Sequence, residues 1–323
     1  MHVRGEKPAG MSGSMSRTWV LSEAFAGLQA QGLGLAEAAG LAPELRVLAP
    51  GAPWRSVPAR LWPLPLRAVR QAIAAPLPAL AVTVGGMGAA VGAALRRRGV
   101  PVVQVQHPRM SRRWFDLVLA VRHDGLSGPN VIVTRTALHR VTPERLSEAA
   151  ALWAPRLSHL PRPLVAVLVG GSNGRFRLDV GVAAALGQQL AAMMQRDRVG
   201  LALTPSRRTD PEALRALDAA LAPLGAFVWD GTGENPYLGL LALADAVVVS
   251  ADSVSMISEA AATSAPVLLA PLPGRSRRIG TFIRALLAEG RVRLFEGRFE
   301  TWDVIPINDT PAAAAEMRRR LGL

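Results

Sequence analysis

The sequence contains no cysteine, which excludes disulfides and thiolate metal sites and leaves the redox compartment undecided by composition. Lysine is nearly missing too: Lys7 stands alone, so all but one of the 37 basic residues are arginine. No run approaches the roughly 20 apolar residues that a membrane-spanning helix needs. The first sixteen residues are small and polar and lack the apolar core of a secretory signal, so residues 1–16 are expected to form a disordered leader. The protein is accordingly expected in the cytoplasm, with peripheral contact to the inner face of the cytoplasmic membrane left open. The five histidines are not spaced as zinc ligands and no DxD element is present, so no metal ion is expected. Nucleic-acid-binding motifs are absent as well, which removes nucleic acid from the expected partners.

What is present is a globular composition. Half of the 323 residues are hydrophobic and the net charge is +13. That length exceeds what one core usually organises, so two domains are expected. A pI near 11.6 draws the chain toward polyanions, a nucleotide or an anionic membrane surface. Arginine meets phosphate with a planar fork of donors.

Short β-branched runs alternate with helical patterns along the whole chain, the signature of parallel sheets covered by helices. Strands are expected at 17–22, 45–48, 79–84, 100–105, 115–120 and 130–134. Thr142-Pro-Glu-Arg145 opens a helix with Thr142 as its cap, and His159-Leu-Pro-Arg-Pro163 reads as a linker. A second set of strands follows at 164–169, 200–204, 246–249 and 266–269. The domains implied are 17–160 and 161–305, with a closing segment 306–323 whose helix, Thr310 to Leu321, is expected to pack back on the first.

Leu240 to Pro271 organises the second half. Ala246 to Val249 is a strand of the kind buried on both faces. Ser250 to Ser255 then places small and hydroxyl-bearing residues, among them Asp252, Ser253 and Ser255, where a helix begins and where its N–H groups meet an anion. Met256, Ile257, Ala260 and Ala261 recur at helical spacing and set Glu259 beside that loop, suited to the two donors of a ribose diol. The plainer reading is that the serines cap the helix and Glu259 is a surface charge.

Other strand ends carry related chemistry. Gly170, Gly171, Ser172, Asn173 and Gly174 follow a strand and read as a nest of free N–H groups for an anion. Ser206-Arg207-Arg208-Thr209 reads as a diphosphate clamp or as a solvated charge pair. Asn235-Pro-Tyr237 contacts a base or seals a cleft, and Gly274 to Arg278 lies at one more strand end. In the first domain, Gly27 and the cluster Gly85-Gly86-Met-Gly88 offer points of close backbone approach. His107 and His123 each follow a strand, where a turn histidine bonded to backbone is the commoner outcome. Ala52 to Pro78 is proline-rich and sets Trp54 and Trp62 among arginines up to Arg70. That pattern serves either interfacial contact with an anionic membrane or packing under a neighbouring helix.

Ala244-Asp245 through Pro266 resembles the donor-nucleotide region of GT-B glycosyltransferases, above all the N-acetylglucosaminyl transferase that makes lipid II. There a helix glutamate followed by an Ala-rich run and a proline holds the ribose, and Glu259 and Pro266 stand at those positions. Over nearly all of residues 17–320 the chain is also similar to the mitochondrial-fission "elongated mitochondria" family. The motifs are Trp19-Val-Leu-Ser22, Gly34-Leu-Ala-Glu37, Gly128-Pro-Asn-Val131, Thr204 to Thr209, Glu234 to Tyr237 and Ser250 to Glu259.

These resemblances imply an α/β, GT-B-like architecture of two Rossmann-like domains whose parallel sheets face a central cleft. They imply no cofactor and a nucleoside diphosphate sugar, UDP-linked in one reading, as donor, transferred without metal to a membrane-associated lipid or envelope acceptor. Where the lipid II enzyme carries Gly-Gly-His in its first loop this chain has Gly27-Leu28, so the base is sought among Glu23, His107 and Asp124. A non-catalytic membrane adaptor and a nucleotide-sugar epimerase stand as the other readings.

Overall fold

Runs of four to six β-branched and aliphatic residues, too short for helices, become fully buried strands. The computed structural model describes residues 17–73 and 75–323; the leader expected over 1–16 lies outside them. Up to the linker the order is β1 (Thr18–Ser22), α1 (Ala26–Ala38), β2 (Pro43–Val47), a one-turn α2 (Pro65–Ala68), β3 (Leu80–Val84), α3 (Gly85–Arg96), β4 (Val102–Val105), β5 (Leu117–Val121), β6 (Val131–Thr134) and α4 (Pro143–Leu157). These strands form one six-stranded sheet in the order β2-β1-β3-β4-β5-β6, with Val20 in parallel register to both Leu45 and Val82.

A second six-stranded sheet is built from β7 (Leu164–Val169), α5 (Val180–Asp197), β8 (Gly200–Pro205), α6 (Pro211–Leu221), β9 (Phe227–Val228), α7 (Tyr237–Leu243), β10 (Ala246–Ser250), α8 (Val254–Ala261), β11 (Val267–Ala270), α9 (Arg277–Ala288) and β12 (Val292–Leu294). Its order is β12-β11-β10-β7-β8-β9, and Val248 pairs in parallel with Val167 and Leu268. The chain ends in α10 (Thr310–Leu321), whose Arg320 donates to the Pro129 and Val131 carbonyls beside β6. Two compact units divide between Val118 and Leu119.

In the second sheet the chain runs outward from β7 in one direction and then returns to β10 on its other side. The carboxyl ends of β7 and β10 therefore flank a topological switch point, where doubly wound sheets bind ligands. The core beneath is aliphatic: Val167, Leu190 and Val248 lie on one face of the sheet, Ala166, Ile257 and Phe282 on the other.

The glycine cluster after β3 does not form a loop. Helix α3 begins at Gly85 itself, and a Cβ at Gly92 would sit 2.9 Å from Thr83 Oγ1 and 3.0 Å from Val102. That glycine lets helix and sheet approach each other rather than a ligand. Gly27 likewise falls inside α1. The tryptophans of the proline-rich segment also differ from an interfacial pair. Trp62 is buried and its indole N–H donates to the Trp54 and Val57 carbonyls, with Trp54 edge-on at 6.2 Å. Exposed instead are Val57, Leu61 and Leu64.

Candidate functional site

Three strand ends of the second sheet meet at the switch point, and a buried carboxylate ties them. Asp252, in the turn after β10, is 4% exposed. Its Oδ1 accepts from the Ser250 hydroxyl at 2.7 Å, and its Oδ2 from the Gly171 N–H at 3.3 Å and from Arg208 Nη2 at 2.8 Å. Ser250 Oγ accepts in turn from the Gly170 N–H at 2.7 Å. Arg208 also donates to the Gly171 carbonyl at 3.1 Å, and the Thr209 hydroxyl donates to the Gly170 carbonyl. The Asp252 charge is held at this depth because both its oxygens are satisfied, while Arg208, its side chain 36% exposed, keeps contact with water.

This arrangement corrects the anion-nest reading. The N–H groups of Gly170 and Gly171 are taken by Ser250 and Asp252. Ser172 Oγ accepts from the Leu178 N–H at 2.9 Å, and Asn173 Oδ1 accepts from the N–H groups of Arg175 and Phe176, so both residues close their own loop. Arg208 is the partner of Asp252 rather than half of a free clamp. Ser253 caps α8 by accepting from the Met256 N–H, and Met256 packs into the core. Arg207 is exposed, and its guanidinium has no partner among the described residues. Ser206 Oγ accepts from the Arg208 N–H at 3.1 Å. Asn235 is exposed and its side chain accepts from the Tyr237 N–H at 2.9 Å. Ser255 is half-buried in the first turn of α8.

Glu259 lies on α8 and Tyr237 opens α7; both are half-buried. The Tyr237 hydroxyl donates to Glu259 Oε2, while Oε1 has no partner among the described residues. Burial pushes the Glu259 carboxyl up to about 7, against the downward pull of the donated hydrogen bond. Burial, and then the Glu259 charge, hold the tyrosine well above its usual value. The site thus holds a carboxylic acid that changes charge near neutral pH.

The three candidate bases differ in what surrounds them. Glu23, at the end of β1, is half-buried and without a side-chain partner among the described residues, and burial raises its carboxyl above the usual range. His107 Nδ1 accepts from the Arg109 N–H at 2.9 Å, the turn histidine that its position suggests. The Asp124 side chain is 1% exposed and bound to Arg278 Nε at 2.5 Å. A buried carboxylate already paired with arginine is not placed to take a proton from an incoming hydroxyl.

The mitochondrial fission ELM1 family model matches residues 26–321. The chain belongs to that family. Mitochondrial fission protein ELM1 of Arabidopsis thaliana is 31% identical over 274 residues, covering 76% of this chain and 64% of that protein's length. Like other proteins of known structure, this ELM1-family chain has the GT-B fold. It superposes on UDP-GlcNAc 2-epimerase of Methanocaldococcus jannaschii, solved with UDP-GlcNAc and UDP, with a TM-score of 0.60 at 12% identity over 96% of this chain and all of that one. Against MurG of Acinetobacter baumannii the TM-score is 0.51 at 16% identity, covering 95% and 90%.

Proposed function

We propose that the second unit binds a nucleoside diphosphate sugar, UDP-linked by analogy with the epimerase complex, beside the switch point. In this reading the protein transfers the sugar to a lipid or envelope acceptor at a membrane surface. The observation that carries the proposal is Glu259: a half-buried carboxyl on α8 with one oxygen held by Tyr237 and the other open. A ribose diol supplies two donors to such a carboxylate, and hydrogen bonds to a charged group are the strong ones. Arg207, exposed and without a partner among the described residues, supplies a cation for the departing diphosphate. Glu23, whose raised pKa brings it nearer the operating range of a base, deprotonates the acceptor hydroxyl.

A membrane surface is supported by charge. Between Glu44 and Asp116 the sequence carries eleven arginines and no acidic residue. Within that stretch Val57, Leu61 and Leu64 are 39%, 61% and 46% exposed. Among the described residues no helix is long and apolar enough to cross a membrane, so contact would be peripheral. Arginines beside exposed aliphatic side chains suit an anionic interface.

One observation favours a non-catalytic adaptor instead: Asp252 places a built-in anion at the end of the sheet where a bound phosphate is otherwise expected. Calorimetry with UDP-GlcNAc and related nucleotide sugars decides between them. Binding by the parent, weakened about 10- to 100-fold in Glu259→Ala (a charged hydrogen bond of roughly 1.5–3 kcal/mol), supports the donor site. No binding of any nucleotide sugar supports the adaptor. Interconversion of bound sugar epimers without an acceptor would identify an epimerase.

A further inference from the structure

Beside β2, the edge strand of the first sheet, lies a pocket of about 270 Å³. Buried Val69 and Ala72 and the largely buried Arg46 form its floor, and exposed Glu44, Ala49 and Gln71 its rim. Alternation along the strand puts Glu44 and Arg46 on one face. Their register partners on β1 are Trp19 and Leu21, and the Arg46 guanidinium lies 4.0 Å over the Trp19 ring.

The polar groups here are only partly used. Arg46 Nη1 donates to the Ala72 carbonyl at 3.1 Å, and Nη2 is 2.8 Å from Glu44 Oε1. A guanidinium carries five N–H donors, so most of them are uncommitted. Arg46 Nε and the Trp19 Nε1 of the ring beneath it are both buried, and among the described residues neither has a partner. The edge of the strand adds backbone groups. The Leu48 N–H donates to the Ser22 carbonyl at 2.8 Å, so Arg46 and Leu48 turn their backbone to β1. Val47, which also lines the pocket, therefore turns its N–H and C=O to the free edge.

Size and charge narrow the ligand. The volume falls below the roughly 300–1,000 Å³ of sites for drug-sized molecules, which excludes a nucleotide sugar. Arg46 and Glu44 neutralise each other. A simple anion would compete with Glu44 for Arg46 and leave the carboxylate without its partner, and a simple cation would do the reverse. A molecule bearing both charges meets the uncommitted side of each residue and leaves the pair intact. We propose that this pocket binds a small aliphatic α-amino acid, its carboxylate on Arg46, its ammonium on Glu44 and its side chain over Val69 and Ala72. Both polar contacts are then charge-assisted hydrogen bonds. The pocket lies wholly within the first unit and uses none of the residues assigned above to the nucleotide sugar, so it stands or falls separately from that reading.

Calorimetric titration of the full chain with L-alanine, L-valine and L-leucine tests it, beside N-acetyl-L-valine, which lacks the ammonium, and L-valinamide, which lacks the carboxylate. The parent should bind L-valine saturably, and each analogue about tenfold or more weakly than L-valine, since each loses a charged hydrogen bond. Ala49→Leu fills the pocket from an exposed position, so it should abolish binding while the thermal midpoint stays that of the parent. Glu44→Gln keeps the shape and should bring L-valine down to the affinity of N-acetyl-L-valine. Arg46 is left in place in both variants because it also holds the turn at 70–72 to the sheet. No saturable binding of any of the three amino acids by the parent would overturn the site, as would unchanged affinity in Ala49→Leu. Equal binding of L-valine and N-acetyl-L-valine by the parent would overturn the assignment of a zwitterion.

Discussion

Asp252 occupies the volume that a side chain at Gly170 would need: a Cβ there would lie 2.2 Å from Asp252 Oδ1. The glycine is thus required by a carboxylate of the protein itself. Gly170→Ala must push Asp252 off Ser250 and Arg208 or bend the end of β7. The expected cost is about 2–5 kcal/mol, from overpacking together with weakened charged hydrogen bonds. Urea unfolding checks this, and an unchanged midpoint would show that the crevice yields at no cost.

A second loss should follow at Arg291, which is 2% exposed. It donates to the carbonyls of Ala260, Ala261, Thr263 and Ala265 and so satisfies the C-terminal end of α8 and the turn into β11. Arg291→Met keeps much of the volume and removes the donors. It should cost roughly 2–4 kcal/mol, since the Thr263 and Ala265 carbonyls lose their donor, whereas those of Ala260 and Ala261 keep the Thr263 and Ile307 N–H groups. A variant as stable as the parent would mean that water replaces the guanidinium.

The inner strands were legible because each is a short aliphatic or β-branched run between breakers, whereas the edge strands β9 and β12, two and three residues long, are too short to stand out; the helix from Thr310 to Leu321 was legible from its proline start and its ending before Gly322. The α3 boundary was not, because glycines that pack a helix onto a sheet and glycines that form a loop are the same letter. At the switch point Glu259 was placed by the helical spacing of Met256, Ile257, Ala260 and Ala261 and tied to a ribose by the GT-B resemblance, whereas its contact with Tyr237 joins residues 22 apart. The tie of Asp252 to Arg208 spans 44 residues and leaves no local trace, so two charged residues that neutralise each other read as two ligands for something else.

Membrane contact, if it uses the proline-rich segment, should depend on Leu61 and Leu64 rather than on the tryptophans. Leu61→Ser/Leu64→Ser removes exposed apolar surface at little cost to the fold, so the salt-resistant part of binding to anionic vesicles should disappear. The arginine contribution, about 1 kcal/mol per residue near the surface and screened by salt, remains. Trp62→Ala should instead lower stability, since a buried aromatic ring is lost at about 3–5 kcal/mol. Vesicle sedimentation across a salt series is the measurement. Unchanged binding of the double serine variant would assign this segment to packing.

The Glu259 carboxyl, pushed up to about 7, links pH to both stability and binding. Its unfolded value lies near 4.3, so between roughly pH 4.5 and 7 the folded state holds more protons than the unfolded state. Stability from this group is therefore present below that window, falls as pH rises through it, and is level above it. Glu259→Gln should remove this slope from urea midpoints measured across pH. Binding runs the other way, because the ionised carboxylate is the better acceptor for a ribose diol. Affinity for a UDP-sugar, whose diphosphate is esterified at both ends and has no proton to lose here, should rise between about pH 6 and 8. Tyr237→Phe deletes the hydrogen bond that pulls the Glu259 pKa down, and should shift this rise to higher pH. Calorimetry at several pH values reads all three effects. Affinity that is flat with pH in the parent, or that rises equally in Glu259→Gln, would remove Glu259 from the ribose.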